Sequence, residues 1–409
     1  MNIVVQKFGG TSVRNLECQR QVMQKVLRPY REGNKVIVVL SAMSGETNRL
    51  LALAKEWTDT PDPAEVDSLV STGEQVSTSL FAMLLKQQGV KCRSVLGFQA
   101  PVKTNEAHGK ARIEAIDAEE LEELLQEYDI LVIAGFQGCT ANKRITTLGR
   151  GGSDTSAVAL AAALDADVCE IYTDVPGVFT TDPNMCTDAR KIDKVAYDEM
   201  LEMASMGAKV LQIRSVEFAK KYNVTVHVRS TFSDEPGTIV TQEDENMESV
   251  LVSGIAYDKD QAQITLVHVH DHPGVSAQIF SPLADKKILV DMIVQNPSKD
   301  GLTDMTFTVP RSDVDMTIKT LSKLQYEIGF EELTHNLNVS KISIIGVGMR
   351  NHSGVASRAF QALADENVNI LMISTSEIKV TCLIDDKYTE LAVRTLHKAF
   401  NLEEGKHTE

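Results

Sequence analysis

From residue 1 to about 240 the chain alternates short β-branched apolar runs with longer helical stretches. This limits it to an α/β architecture built on a mostly parallel sheet covered on both faces. Strand-like runs fall at residues 3–5, 36–40, 94–96, 130–134, 170–172 and 224–228. Helical periodicity falls at 15–30, 46–57, 74–88, 118–127, 153–164, 197–204 and 208–221. Asp59-Thr60-Pro61-Asp62-Pro63 reads as a loop from its turn residues alone. A unit spanning residues 1–240 follows, closed by Pro236-Gly237-Thr238 and a polar, acidic linker at 241–248.

After the linker the chain repeats itself. Gly274 aligns with Gly354, a shift of 354 − 274 = 80, which puts Val275 on Val355, Phe280 on Phe360, Leu283 on Leu363, Asp285 on Asp365 and Met292 on Met372 without a gap. The shared order is strand, Gly-Val turn, helix, strand. Two copies of a βαββαβ unit, at 262–336 and 337–405, are the economical reading, and this arrangement resembles the tandem ACT domains that bind amino acids in regulated biosynthetic enzymes. Two copies at so long a period argue against a solenoid.

Composition removes several function classes. Of the 409 residues, 41 are basic and 57 acidic, a net charge of −16 that repels nucleic acid and anionic membrane. Aromatic residues make up 5%, too few for a base-stacking surface. Six cysteines show no C-x-x-C spacing, so buried free thiols in a reducing compartment are expected. No apolar run reaches about 18 residues and no basic leader precedes the first strand, which points to a cytoplasmic location.

Two glycine turns carry the chemistry, Lys7-Phe8-Gly9-Gly10-Thr11-Ser12 and Gly149-Arg150-Gly151-Gly152-Ser153-Asp154. Each follows a strand-like run and opens onto a helical pattern. Glycines let backbone N–H groups approach closely, and a helix N-terminus favours negative charge, so each turn is a candidate anion site with its own cation. A Walker A sequence is absent, which excludes a P-loop enzyme. Lys7 is a candidate to lie across a transferring phosphate; its bland reading is a solvated lysine at a strand end. Glu74 and Asp154, each in the first turn of a helix, equally suit a dipole-complementing role.

The motifs in order are K-F-G-G-T-S, then Ser41-Ala42-Met43-Ser44-Gly45 with Thr47 and Asn48, then Ser71-Thr72-Gly73-Glu74, then G-R-G-G-S-D-T-S, then Tyr172-Thr173-Asp174-Val175-Pro176-Gly177-Val178 with Thr181-Asp182-Pro183, then Met206-Gly207-Ala208-Lys209-Val210-Leu211. This set resembles that of the aspartate kinase family, across nearly the whole chain. The resemblance implies a three-layer αβα amino-acid-kinase domain and ATP-dependent phosphorylation of the L-aspartate β-carboxylate. It implies Lys7, Asp154 and Lys209 as catalytic residues. It implies a substrate site of Ser44, Gly45, Thr47, Asn48, Glu74, Arg150, Gly151, Gly152 and Ser153, with Glu74 meeting the ammonium and Arg150 the α-carboxylate. The nucleotide would lie against Lys7, Gly9, Gly10, Ser41, Thr173, Asp174, Phe179, Thr180, Asp182 and Lys209, with Mg2+ on its phosphates and no protein ligand named.

The same resemblance implies feedback inhibition by lysine, threonine or both at the strand-to-helix turn of the first ACT-like copy. Asp271, Pro273, Gly274, Val275, Ala277 and Gln278, with Gln295 and Asn296, are the residues expected there. The segment 249–257 is available as a strand added to the second copy, and a homodimer or larger assembly is expected through these units. Met247 is placed where an internal start would precede the repeats.

Other readings stay open: an acetylglutamate or glutamate 5-kinase on the same fold, or a non-catalytic amino-acid sensor. Ile345-Gly346-Val347-Gly348 imitates a dinucleotide fingerprint, but Asn351 stands where the third glycine belongs. His268, His270 and His272 recur at a period of two, yet Pro273-Gly274 favours a loop at a strand end over a metal site.

Overall fold

The protein is described by a computed structural model covering residues 2–100, 102–206, 210–244, 247, 250–296 and 301–404, the Asn351 side chain excepted. It divides into two compact units, Met1–Phe179 with Lys191–Met247, and Thr180–Arg190 with Glu248–Glu409.

The first unit is built on an eight-stranded sheet in the order Lys194–Ala196, Thr238–Thr241, Val226–Ser230, Val168–Thr173, Ile3–Phe8, Lys35–Leu40, Ile130–Ala134 and Cys92–Val95. Every pairing is parallel except Val226–Ser230 with Thr238–Thr241. The central strands are covered on both faces, which is why Val36 to Leu40 and Ile130 to Ala134 are unbroken apolar runs, all buried. Helix Leu16–Arg31 covers one face, its N-terminus capped by the Asn15 side chain accepting from Cys18 N–H at 2.9 Å. Helix Gly152–Ala163 is buried over most of its length.

Several features depart from the sequence reading. Pro63 opens a helix, Pro63–Val70, with Asp62 as its cap accepting from the amides of Ala64 and Glu65. Proline at the first helical position and aspartate before it are helix-start chemistry as much as loop chemistry. A second, four-stranded sheet of Ile113–Ile116, Val102–Thr104, Gln137–Cys139 and Ile145–Thr147 has no counterpart in the sequence pattern, its strands being only 3 or 4 residues long.

In the second unit the repeats share one antiparallel six-stranded sheet, in the order Asp291–Gln295, Leu302–Pro310, Gly254–His270, Glu332–Ile345, Lys379–Asp385 and Ile370–Thr375. Two long strands run through both halves. Gly254 to Asp258 pairs with Ile345 to Lys341, while Gln263 to Val267 pairs with Asn336 to Glu332. The helices related by the shift of 80, Val275–Asp285 and Val355–Asp365, bury Val275, Ile279 and Leu283 in one core and Val355, Ala359 and Leu363 in another. The Gly346-Gly348 stretch forms a short 3-10 turn after an antiparallel strand, not a parallel βαβ crossover. The strand Gly254–His270 includes His268 and His270, past a bulge between Leu266 and Val269, and ends before His272 and the Pro273-Gly274 turn.

Candidate active site

The carboxyl ends of strands Ile3–Phe8, Lys35–Leu40 and Val168–Thr173 open into a cleft of about 460 Å³ within the first unit. Clefts at this end of a parallel sheet are the usual ligand position in open α/β folds. Lys7, Gly9, Gly10, Ser41, Ser44, Gly45, Thr47, Asn48, Glu74, Arg150, Gly151, Gly152, Ser153, Asp154, Thr173 and Asp174 all line it. Segments far apart in sequence thus meet around one space.

Lys7 lies at the end of its strand with its ammonium 2.5 Å from Asp154 Oδ1, in the first turn of helix Gly152–Ala163. The two side chains are 12% and 9% exposed, so the pair is largely dry. That carboxylate oxygen meets the lysine at ion-pair distance without hydrogen-bond geometry. The backbone then turns. Gly9 C=O accepts from Ser12 N–H at 3.0 Å, and Gly10 C=O accepts from Ser44 N–H at 3.2 Å. Gly10 is packed so closely that a Cβ would stand 2.8 Å from the Ala42 carbonyl oxygen.

The second turn is closed by Gly152 N–H donating to Gly149 C=O at 3.0 Å, with Arg150 and Gly151 at its centre. Gly151 has φ +71°, and a Cβ there would fall 1.9 Å from Gln212 Cγ, so no side chain fits. Arg150 is exposed at the tip. Gly151 is also the cap residue of helix Gly152–Ala163 and makes no side-chain cap, which leaves the helix N-terminus facing the cleft.

Glu74 is the site's unusual acid. It is 3% exposed, one carboxylate oxygen accepts from Ala42 N–H at 3.0 Å, and Oε2 has no partner. Burial pushes its pKa up to about 7, against a smaller lowering by the Ala42 amide. A buried, half-satisfied carboxylate on a cleft wall suits a cationic ligand group.

Three nucleotide candidates are not among the residues that line this cleft. Thr180 is buried in the second unit, its hydroxyl 2.9 Å from His397 Nε2 and accepting from Arg190 N–H at 2.9 Å. Asp182 accepts from Tyr257 OH at 2.9 Å in the same unit. Phe179 is the last residue before that excursion and is absent from the cleft lining. Lys209 lies outside the described residues, whereas its neighbour Val210 lines the cleft.

The lining also includes Thr11, Met43, Phe136, Tyr172 and Gln212. Phe136 carries φ +69°, a left-handed backbone that no glycine or asparagine signalled. Tyr172 stacks on Phe8 with ring centroids 4.5 Å apart and shares the Glu170 carboxylate with Arg229 and Gln6.

In the second unit the turn expected to hold an effector is exposed at Asp271, Pro273, Gly274, Ala277 and Gln278, as are Gln295 and Asn296. Ser276 Oγ reaches Gln295 Oε1 at 3.4 Å, so turn and strand face each other. Val275 is different. Its side chain is buried in the core, which leaves only its backbone for a ligand.

A cleft with two cation-bearing glycine turns over a parallel αβα sheet defines an enzyme that handles anionic small molecules. The amino acid kinase family matches residues 2–230, and the ACT domain matches residues 264–325 and again 342–400. An aspartate kinase of Stutzerimonas stutzeri is 52% identical over 404 residues, covering 98% of each chain. Among solved structures, E. coli aspartokinase III in complex with aspartate and ADP superposes with a TM-score of 0.79 at 30% identity, covering 97% of this chain and 99% of that one. The same enzyme with lysine and aspartate gives 0.75, with the same identity and coverage. The chain belongs to the aspartate kinases of the amino acid kinase family. Among the described residues no helix is long and apolar enough to cross a membrane.

Proposed function

We propose that the protein transfers the γ-phosphoryl group of ATP to the β-carboxylate of L-aspartate, giving 4-phospho-L-aspartate, the first step toward lysine, threonine and methionine. The observation that carries this is the meeting of Lys7, Arg150 and the unpartnered oxygen of Glu74 in one cleft. The acceptor is a side-chain carboxylate, which ordinarily titrates near pH ~3.9 and so needs no general base; the task is to bring two anions together. Lys7, oriented by Asp154, neutralises the transferring group, and the amides of Gly9, Gly10, Gly151 and Gly152 add donors. Arg150 grips the α-carboxylate as a planar fork and Glu74 takes the ammonium. Ser41, Ser44, Gly45, Thr47 and Asn48 complete the acceptor wall; Thr173 and Asp174 face the nucleotide. Lys209 keeps its proposed role on the phosphates.

Magnesium fits this cleft as an ion carried by the nucleotide. Among the described residues no group of three or more His, Cys, Asp or Glu side chains gathers to hold a metal, and Asp154 is committed to Lys7. Asp174 and phosphate oxygens would hold the ion, which supplies charge neutralisation between phosphates. We further propose that lysine, threonine or both bind at Asp271 to Gln278 with Gln295 and Asn296, that the protein assembles as a homodimer or larger through its second unit, and that it works in the cytoplasm, where its six buried free cysteines are stable. ATP turnover with L-aspartate, with and without lysine and threonine, tests the reading. Absence of aspartate-dependent phosphoryl transfer overturns it, and activity indifferent to both amino acids overturns the regulatory part.

A further inference from the structure

We propose that Asp67 is a positioning residue that sets the Arg150 turn, acting through the loop at His108 and Gly109. It lies in helix Pro63–Val70, 1% exposed, and lines no part of the cleft. Both its oxygens are used. Oδ2 lies 2.8 Å from His108 Nδ1, Oδ1 accepts from the Thr147 hydroxyl, and Gly109 N–H donates to both at 3.1 and 3.0 Å.

These contacts converge on the acceptor turn. Thr147 ends the strand that leads to Gly149, and its C=O accepts from Ala111 N–H at 2.9 Å. Arg214 spans the same two segments, donating to the carbonyls of Leu148 and Ala111. Gly149 has φ +78° and is packed against this loop, where a Cβ would stand 3.1 Å from the Gly109 carbonyl oxygen. Asp67 therefore holds the loop on which Gly149 rests, and the tip residue Arg150 follows directly. Asparagine at 67 would offer one acceptor oxygen where two are needed and turn an N–H pair toward existing donors.

The inference rests on Arg150 gripping the acceptor. Asp67→Asn is expected to raise KM for L-aspartate by about tenfold or more while kcat and KM for ATP stay within about twofold, since a small displacement of a clamp costs binding. His108→Asn, whose amide nitrogen replaces Nδ1 as donor, is expected to retain wild-type KM, and His108→Leu to lose it. Amide exchange over residues 148–152 is measured in the same proteins and should quicken in Asp67→Asn whatever the acceptor is. Unchanged exchange in that turn overturns the proposal even if thermal stability falls. A wild-type protein without aspartate-dependent turnover would overturn the proposed function, and the exchange comparison would still decide the role of Asp67.

Discussion

The Lys7 ammonium and the Asp154 carboxylate lie 2.5 Å apart across the space between a strand end and a helix N-terminus. A lysine bound for phosphate must not be neutralised for good by its partner. Asp154 also sits in the first turn of a helix, whose N-terminal dipole favours its negative charge. The pair therefore pre-places the ammonium while leaving it able to share with an arriving phosphoryl group.

Lys7→Ala is expected to lower kcat by about 10²- to 10³-fold, the range for removing one preorganised donor from developing charge. KM for L-aspartate should change little, because the acceptor is held by Arg150 and Glu74. Steady-state kinetics with both substrates varied makes the test, and an unchanged kcat removes Lys7 from the transition state. The same substitution strands Asp154 at 9% exposure, so a clear fall in Tm accompanies it.

Glu74 makes the protein sensitive to pH. Its folded pKa of about 7 is raised from 4.5, so the folded state holds a proton that the unfolded state releases. Its stabilising contribution is full below about 4.5, fades as pH rises and is lost above 7, a swing of about 3 kcal/mol. Glu74→Gln should flatten Tm against pH across that window. If Glu74 also meets the substrate ammonium, KM for L-aspartate should climb as pH falls below 7 in the wild type, and sit high at every pH in the glutamine variant. A wild-type KM that stays flat from one pH unit below that pKa to one unit above it would rule out the contact.

Two neighbouring glycines should respond differently. A Cβ on Gly9 would approach only Lys7 Nζ, at 3.5 Å, whereas one on Gly10 would stand 2.8 Å from the Ala42 carbonyl oxygen. Gly9→Ala is expected to fold normally, since its methyl would only touch the lysine ammonium at ordinary contact distance, and any loss should fall on kcat alone. Gly10→Ala has to push the Ala42 loop aside, so both Tm and activity should drop. Equal stability in the two variants would contradict the packing described.

Much of this was legible because the signals are local. Alternation of buried strands and helices, a cation beside a glycine pair, and an 80-residue repeat all live in short windows. The second small sheet was not, because its strands of 3 or 4 residues are too short to display a period. Glu74 could be named from its motif, but its burial and orphaned oxygen depend on its packing beside the Ala42 segment, which lies far back in the sequence. The excursion Thr180–Arg190 was the least legible segment. Its turn residues look like an extension of Thr173-Asp174, and its actual partners, Ile255, Tyr257 and His397, lie 75 or more residues onward.

That excursion separates two roles for Thr180. The hydroxyl stands between His397 Nε2 and Arg190 N–H, while Thr180 C=O accepts from Ile255 N–H at 2.7 Å and Met185 and Cys186 join the surrounding core. Thr180→Val keeps the shape and takes the hydroxyl partner from His397 Nε2, whose side chain is buried, a cost of about 1 to 3 kcal/mol. Thermal unfolding should register that loss. KM for ATP should stay within about twofold, because nothing in the cleft is touched. A KM for ATP raised severalfold with Tm unchanged would reverse the assignment and return Thr180 to the nucleotide.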